Sequence, residues 1–192
     1  MRQRFPLFLG ILLALSALSL GRAQTPPQTG FWAAGELGYG SASYSSNINS
    51  HSKGGLALGL EGGYALNSTV SLGLRLSGCS LEASNLNDPT KGESISLFSA
   101  LVRVYPLPGQ GLFLRGGLGS LRYTNNHPLE FNGSGTGLTF GAGYEFPLTK
   151  RLKLAPVVDF TQGKLDDVTN PLVTLRDRRC KFLSIGVSLR FS

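Results

Sequence analysis

The sequence predicts an all-β protein: a closed antiparallel up-and-down transmembrane β-barrel of about eight strands, following a cleaved signal peptide. Three observations predict it. Apolar residues alternate with small or polar ones through most of the chain, which is the period of a strand with one apolar face. The opposite face is mostly Gly, Ala and Ser with isolated charges, residues that suit a crowded interior better than a wet surface. The apolar face is therefore expected outside, against lipid. The connections, finally, alternate long and short, the pattern of a barrel with tight turns at one end and loops at the other.

The 192 residues provide for one domain. A hydrophobic fraction of 41% is ordinary, as expected where only every second strand residue is apolar, and the 26 Gly fit turns and a tight interior. Residues 1–23 are expected to be a signal peptide and 24–192 the barrel domain. Arg2 and Arg4 open the leader, Phe5–Leu20 is apolar, and Gly21-Arg22-Ala23 gives a small-x-small cleavage site before Gln24. That run is short for a spanning helix, and no other run is longer. The leader carries three Arg and no acid, so the net +7 of the full chain falls to +4 after cleavage. So mild a charge does not point to nucleic acid. An exported chain without a spanning helix is either soluble or a barrel.

After the polar lead Gln24–Thr29, the first strand is Phe31–Ser43, with Phe31, Ala33, Leu37 and Tyr39 opposite Trp32, Ala34 and Glu36. Ser43–Lys53 is expected as a polar loop. Gly55–Leu66 is the second strand, with Leu56, Leu58, Leu60 and Tyr64 opposite Ala57, Gly59, Glu61 and Gly63. Asn67-Ser68 makes a tight turn into the third strand, Val70–Leu81, where Leu72, Leu74 and Leu76 oppose Arg75, Ser77 and Cys79. Glu82–Glu93 is a long loop holding Asp88-Pro89. The fourth strand, Ser94–Tyr105, has less distinct faces; Arg103 is placed inside, leaving Phe98, Ala100 and Val102 outside. Pro106–Gly111 turns into the fifth, Leu112–Thr124, with Leu114 and Leu118 opposite Phe113 and Arg115. A loop with an Asn132-Gly133 turn precedes the sixth.

The clearest hairpin spans Gly135–Phe160. Leu138, Phe140, Ala142, Tyr144 and Phe146 share one face, and beyond the turn Pro147–Lys150 so do Leu152, Leu154, Pro156, Val158 and Phe160. Pro147 ends the first arm because it cannot donate to the ladder. Gly163–Arg179 is expected as the longest loop. The last strand, Lys181–Phe191, has Leu183, Ile185, Val187, Leu189 and Phe191 outside and Phe182, Ser184, Gly186, Ser188 and Arg190 inside. Aromatics near strand ends, among them Phe31, Tyr39, Tyr64, Tyr105, Tyr123, Tyr144, Phe160 and Phe191, are expected to form interfacial girdles.

Three segments resemble the small eight-stranded bacterial outer-membrane proteins, the OmpA-, OmpX- and OmpW-like porin-type barrels. They are GLEGGYAL (Gly59–Leu66), GAGYEFPLTKRLKLAP (Gly141–Pro156) and SIGVSLRF (Ser184–Phe191). The resemblance spans roughly Phe31–Phe191. It implies the bacterial outer membrane as location, periplasmic termini, contact with outer-membrane lipid and lipopolysaccharide, and a monomer. It also implies recognition by the barrel-assembly machinery through the strand ending at Phe191. Such chains usually end on an aromatic residue; here Ser192 follows.

Inward positions carry Glu36, Glu61, Arg75, Arg103, Arg115, Glu145, Lys153, Asp159 and Arg190. Counting along the strands puts Glu36, Glu61, Arg75 and Asp159 at one level and the other five at a second. Eight strands leave a bore just wide enough for side chains to fill, so these charges must pair across it. Gly at 63, 117, 119, 141, 143 and 186 would make room for them. Arg176, Arg178, Arg179 and Lys181 cluster where the last strand should enter the outer leaflet, and are read as a lipopolysaccharide-phosphate rim. Cys79 and Cys180 are both inward and form a possible disulfide, although their strands are three steps apart and a bridge needs Cα atoms within about 7 Å. His51 and His127 fall in expected loops and build no catalytic set with Ser52. Asp166, Asp167 and Asn170 lack the spacing of a calcium loop, and Asn67-Ser68-Thr69 is a bare glycosylation sequon. No enzyme, cofactor or metal is expected.

The expected function is therefore an integral outer-membrane barrel with a structural or surface-interaction role and a charge-plugged lumen. The alternatives are a narrow porin-like conduit for small solutes or a soluble exported lipocalin-like barrel. The last would need its apolar face inside.

Overall fold

The computed structural model describes residues 29–45, 50–80, 93–125, 131–165, 168–170, 173–175 and 178–192. The leader lies outside these residues. The described residues form eleven strands: β1 Gly30–Ser45, β2 Ser50–Ala65, β3 Val70–Ser80, β4 Glu93–Val104, β5 Leu112–Asn125, β6 Phe131–Tyr144, β7 Phe146–Pro147, β8 Leu152–Leu165, β9 Val168–Asn170, β10 Val173–Leu175 and β11 Arg178–Phe191. Eight of them close a ring in the order β1, β2, β3, β4, β5, β6, β8, β11, each antiparallel to its neighbours. The closing pair is β1 with β11, from Ala33 opposite Phe191 to Ser45 opposite Arg179. Closure leaves no unpaired edge, the condition for spanning a bilayer with strands.

Period-2 alternation sets the two faces on every strand. Leu37 lies between Leu58 on β2 and Val187 on β11, and such residues face outward: Leu58 is 56% exposed, Leu74 53% and Ile185 58%. Their inward neighbours are buried, Phe113 fully so. A continuous exposed belt of Leu, Ile, Val and Phe would aggregate in water; in a bilayer it is the stabilising surface. A soluble lipocalin-like barrel needs the reverse arrangement and is excluded.

The end carrying Gly30 and Ser192 has tight turns with defined chemistry. Asn67 Oδ1 accepts hydrogen bonds from the backbone of Thr69 and Val70, both at 2.8 Å. The Leu152 backbone donates to Thr149 Oγ1 at 3.0 Å. Gly111 has φ +79° and comes so close to Glu145 that a Cβ would meet its carbonyl oxygen, so only Gly fits there. The ladder between β6 and β8 lapses between Gly143–Val157 and Phe146–Leu154 with the register unchanged. That puts Tyr144 opposite Pro156, which has no N–H to give, while the Glu145 amide donates to Gly111 O at 2.8 Å, in register with the β5–β6 ladder.

At the far end the strands run further than the sequence pattern suggests. Tyr44 pairs with His51 and Ser45 with Ser50, so the expected loop Ser43–Lys53 is mostly ladder. The expected loop Gly163–Arg179 likewise contains the end of β8, the β9–β10 hairpin and the start of β11. Alternating hydrophobicity marks only the part of a strand that meets lipid. Beyond it the outward face turns polar and the period fades, although the backbone continues to pair.

Candidate functional site

The barrel interior is filled in two layers. The layer nearer the termini is ionic, and its groups come from seven of the eight barrel strands and from the break after β6. Arg115 on β5 is its centre. Its Nη1 donates to Glu61 Oε1 at 2.6 Å and to Glu36, and its Nε donates to Asp159 Oδ1 at 2.8 Å. Arg75 on β3 approaches the same three acids: its Nη2 donates to Glu36 Oε2 at 2.7 Å and Asp159 Oδ2 at 2.8 Å, and its Nε lies 3.4 Å from Glu61 Oε1.

Arg103 on β4 links this group to a second one. It donates to Glu61 Oε2 at 2.5 Å and to Glu145 Oε1 at 2.9 Å. Glu145 also accepts from Arg190 at 2.9 Å and from Tyr105 Oη at 2.8 Å, and Lys153 Nζ is 3.2 Å from its other oxygen. Arg190 donates to Tyr105 Oη as well. Aromatic faces cover the guanidinium groups: Arg103 Cζ is 4.9 Å from the Trp32 ring and 4.3 Å from that of Phe113, and Arg190 Cζ is 4.9 Å from Trp32. Arg103 is only 1% exposed. At such burial each charge depends on its partners, because an uncompensated one is costly.

All nine inward charges named from the sequence are in ion pairs, but Arg115 joins Glu36, Glu61 and Asp159 instead of the level expected for it. An arginine is long enough to reach along the axis to the next level, so counting Cα positions misplaces its charge. Two Gly positions make room for this layer. A Cβ at Gly141 would lie 2.0 Å from Asp159 Oδ1, and one at Gly143 would strike the Phe113 ring at 2.5 Å. At Gly63, Gly117, Gly119 and Gly186 the nearest obstacle is the backbone of the next strand, so these serve close strand approach instead of room for the charges.

The layer further from the termini is apolar. Ala42, Ala57, Cys79, Ile95, Leu97, Leu121, Tyr123, Cys180 and Phe182 form one buried cluster inside the barrel. This explains the fourth strand's indistinct faces: Ile95 and Leu97 face into this cluster, Leu101 faces in beside Trp32, Ala34 and Ala65 nearer the termini, and Phe98, Ala100 and Val102 face out. Tyr123 is 6% exposed within the cluster, and Tyr105 is tied to Glu145, so neither belongs to an interfacial girdle. Phe31 and Tyr64 do face outward, edge to face at 5.2 Å between centroids. Thr161 donates to Thr139 at 3.2 Å beside the apolar cluster. Among the described residues, one gap of about 20 Å³ lies next to Glu36, Arg75 and Asp159 and another of about 10 Å³ next to Cys79, Leu121 and Phe182. Each holds on the order of one water.

Cys79 and Cys180 share the apolar cluster but form no disulfide. β2 and β1 separate their strands. Of the expected rim, Lys181 is exposed on β11, Arg178 and Arg179 are placed in β11 by register, and Arg176 lies outside the described residues. His127, Asp166 and Asp167 also lie outside them, and Asn170 ends β9. His51 and Ser52 belong to β2, paired with Tyr44 and Ser43, and not to a loop. Among the described residues no His, Cys, Asp and Glu group could hold a metal ion.

A closed eight-stranded ring with a lipid-ready outside and a packed inside defines an integral outer-membrane β-barrel. The chain belongs to the outer membrane protein beta-barrel domain family, whose sequence profile matches residues 10–191. Among curated proteins no sequence matches it. Solved structures share the fold: Neisserial surface protein A superposes with a TM-score of 0.57 at 17% identity, covering 85% of this chain and 97% of that one. Ail, the attachment invasion locus protein of Yersinia pestis, gives 0.52 at 14%, with 85% and 100% covered. The outer membrane protein AlkL, solved in lipid bilayers, gives 0.52 at 12%, with 86% and 92% covered.

Proposed function

We propose that this protein is a structural or surface-interaction barrel whose lumen is plugged, and that it is neither an open pore nor an enzyme. The observation that carries the reading is Arg115, which ties acids from β1, β2 and β8 across the bore. The apolar layer beyond it adds a second obstruction that no hydrated ion crosses readily. The lumen's acids and bases are engaged with one another, which leaves no poised nucleophile and base there. In this reading the signal peptide 1–23 is removed, both termini face the periplasm, the barrel is a monomer, and the assembly machinery reads the strand ending at Phe191. Function then resides in the outer surface and in the loops, where variation is tolerated.

The rival is a narrow conduit opened when an ion pair changes partners, and the small gap beside Arg75 and Asp159 is where it would begin. Planar-bilayer recording of the purified barrel separates the two. Conductance is expected to be absent or rare in the parent and to rise in Arg75→Gln or Glu61→Gln. Sustained large conductance from the parent would overturn the plug.

A further inference from the structure

The ionic layer of the lumen carries a surplus positive charge, and the surplus lies at the end that bears the termini. Arg75, Arg103 and Arg115 balance Glu36, Glu61 and Asp159. That leaves Glu145 alone to offset both Lys153 and Arg190. These two cations sit directly opposite one another in the β8–β11 ladder, where like charges oppose pairing. All three side chains are buried, in a ring whose outside faces lipid, so an uncompensated charge there is costly.

Buried donors gather beside this surplus. Trp32 Nε1, Ser71 Oγ, Arg103 Nε and Arg190 Nε have no hydrogen-bond partner among the described residues. The Trp32 ring reaches across β2 to β3, and its Cζ2 lies 3.0 Å from where a Cβ on Gly73 would stand. Nε1 and Cζ2 are bonded to the same ring carbon, so the N–H edge is turned toward β3. Ser71 is two residues from Gly73 on the same face, and Arg103 is its register partner on β4. The guanidinium carbons of Arg103 and Arg190 each lie 4.9 Å from the indole centroid. The other buried atoms without a partner, on Arg75 and its register partner Ser99, belong to the acid-rich group. There the gap of about 20 Å³ beside Arg75 has room for a water.

We propose that the lumen holds one small monovalent anion, of halide type, between Trp32 Nε1, Ser71 Oγ and Arg103 Nε, with Lys153 and Arg190 supplying the balancing charge. One such ion makes the ionic layer neutral. The donor set decides between anions. Phosphate and sulfate favour forked guanidinium contacts, but both Nη atoms of Arg103 are already engaged, by Glu145 and Glu61. What is left is a set of single donors on three strands around the edge of an aromatic ring, which suits a sphere. The ion reaches the site from the end with the termini, past the half-buried Tyr105. The inference goes beyond the plugged lumen and fails separately from it, because binding at Trp32 is read without conductance.

Trp32 is the chain's one tryptophan, so its fluorescence reports the site directly. The full mature barrel, folded in zwitterionic detergent, is titrated with sodium bromide or iodide against gluconate at constant ionic strength. Quenching should saturate, and chloride should compete it away, a measurement that needs no variant to fold. The neutral quencher acrylamide should act weakly on so buried a ring. Lys153→Gln should weaken halide binding about tenfold or more, as expected for the loss of a charged partner, and Ser71→Ala should weaken it less. Arg151→Gln, exposed at the same end, should match the parent. Chloride should also raise the urea midpoint above that in gluconate for the parent but not for Lys153→Gln. Linear quenching without chloride competition, equal halide binding by the parent, Lys153→Gln and Ser71→Ala, or equal competition by sulfate would each overturn the assignment.

Discussion

The two halves of the lumen are built from the same inward-facing positions of the same strands, yet they close the bore by opposite means. Near the termini, Arg75, Arg103 and Arg115 are shared among Glu36, Glu61, Glu145 and Asp159. Further along, Ile95, Leu97, Leu121, Tyr123 and Phe182 pack as an ordinary core. The ionic half holds distant strands together by directional bonds, so the loss of one partner should be costly. The apolar half holds them by contact area and tolerates gradual loss. A lumen need not be uniformly polar merely because the outer face is apolar. Half of this one resembles a soluble protein's interior, enclosed by a wall whose own outside is hydrophobic.

The comparison breaks most sharply at Arg115. Arg115→Leu leaves three acids short of a partner, and a loss of about 3–5 kcal/mol in folding stability is expected from urea titration in lipid vesicles. Adding Asp159→Asn should restore part of that loss, because it removes one of the stranded charges. No recovery in the double variant would mean that packing, not charge, holds this half.

Leu121→Ala tests the other half. Its side chain is 1% exposed and lies beside Gly137 and Gly163. The cavity should cost about 2–4 kcal/mol, and single-channel recordings should stay closed because the ionic layer remains. Frequent openings in Leu121→Ala would show that the apolar layer is the actual seal.

Gly141→Ala sharpens the picture at smaller scale. Its Cβ would lie 2.0 Å from Asp159 Oδ1 and 3.0 Å from Arg115 Nε, so displacing this pair should cost about 1–3 kcal/mol. Gly116→Ala, on the outward face of β5 where the nearest atoms are 3.9 Å away, should be close to neutral. Equal costs at the two positions would contradict the crowding ascribed to the ionic layer.

The sequence by itself determined the class of fold, the number of spanning strands and which residues face lipid. A period of two fixes the faces locally, as at Leu152, Leu154, Val158 and Phe160, and lipid demands a long unbroken apolar run on one of them. The nine lumen charges were legible for the same reason: a charge on an inward position stands out among Gly, Ser and Ala. Their partners were not, since Arg115 and Glu36 are 79 residues apart and meet only when the ring closes. The apolar half was hidden in β4, where Ile95 and Leu97 inside and Phe98 and Ala100 outside blur the period. The extension of β1 and β2 past the belt was hidden because water, unlike lipid, imposes no pattern on Ser43, Ser52 or their neighbours. Tertiary structure alone decided which charges meet: Arg103 joins Glu61 to Glu145 only through the order of strands around the barrel.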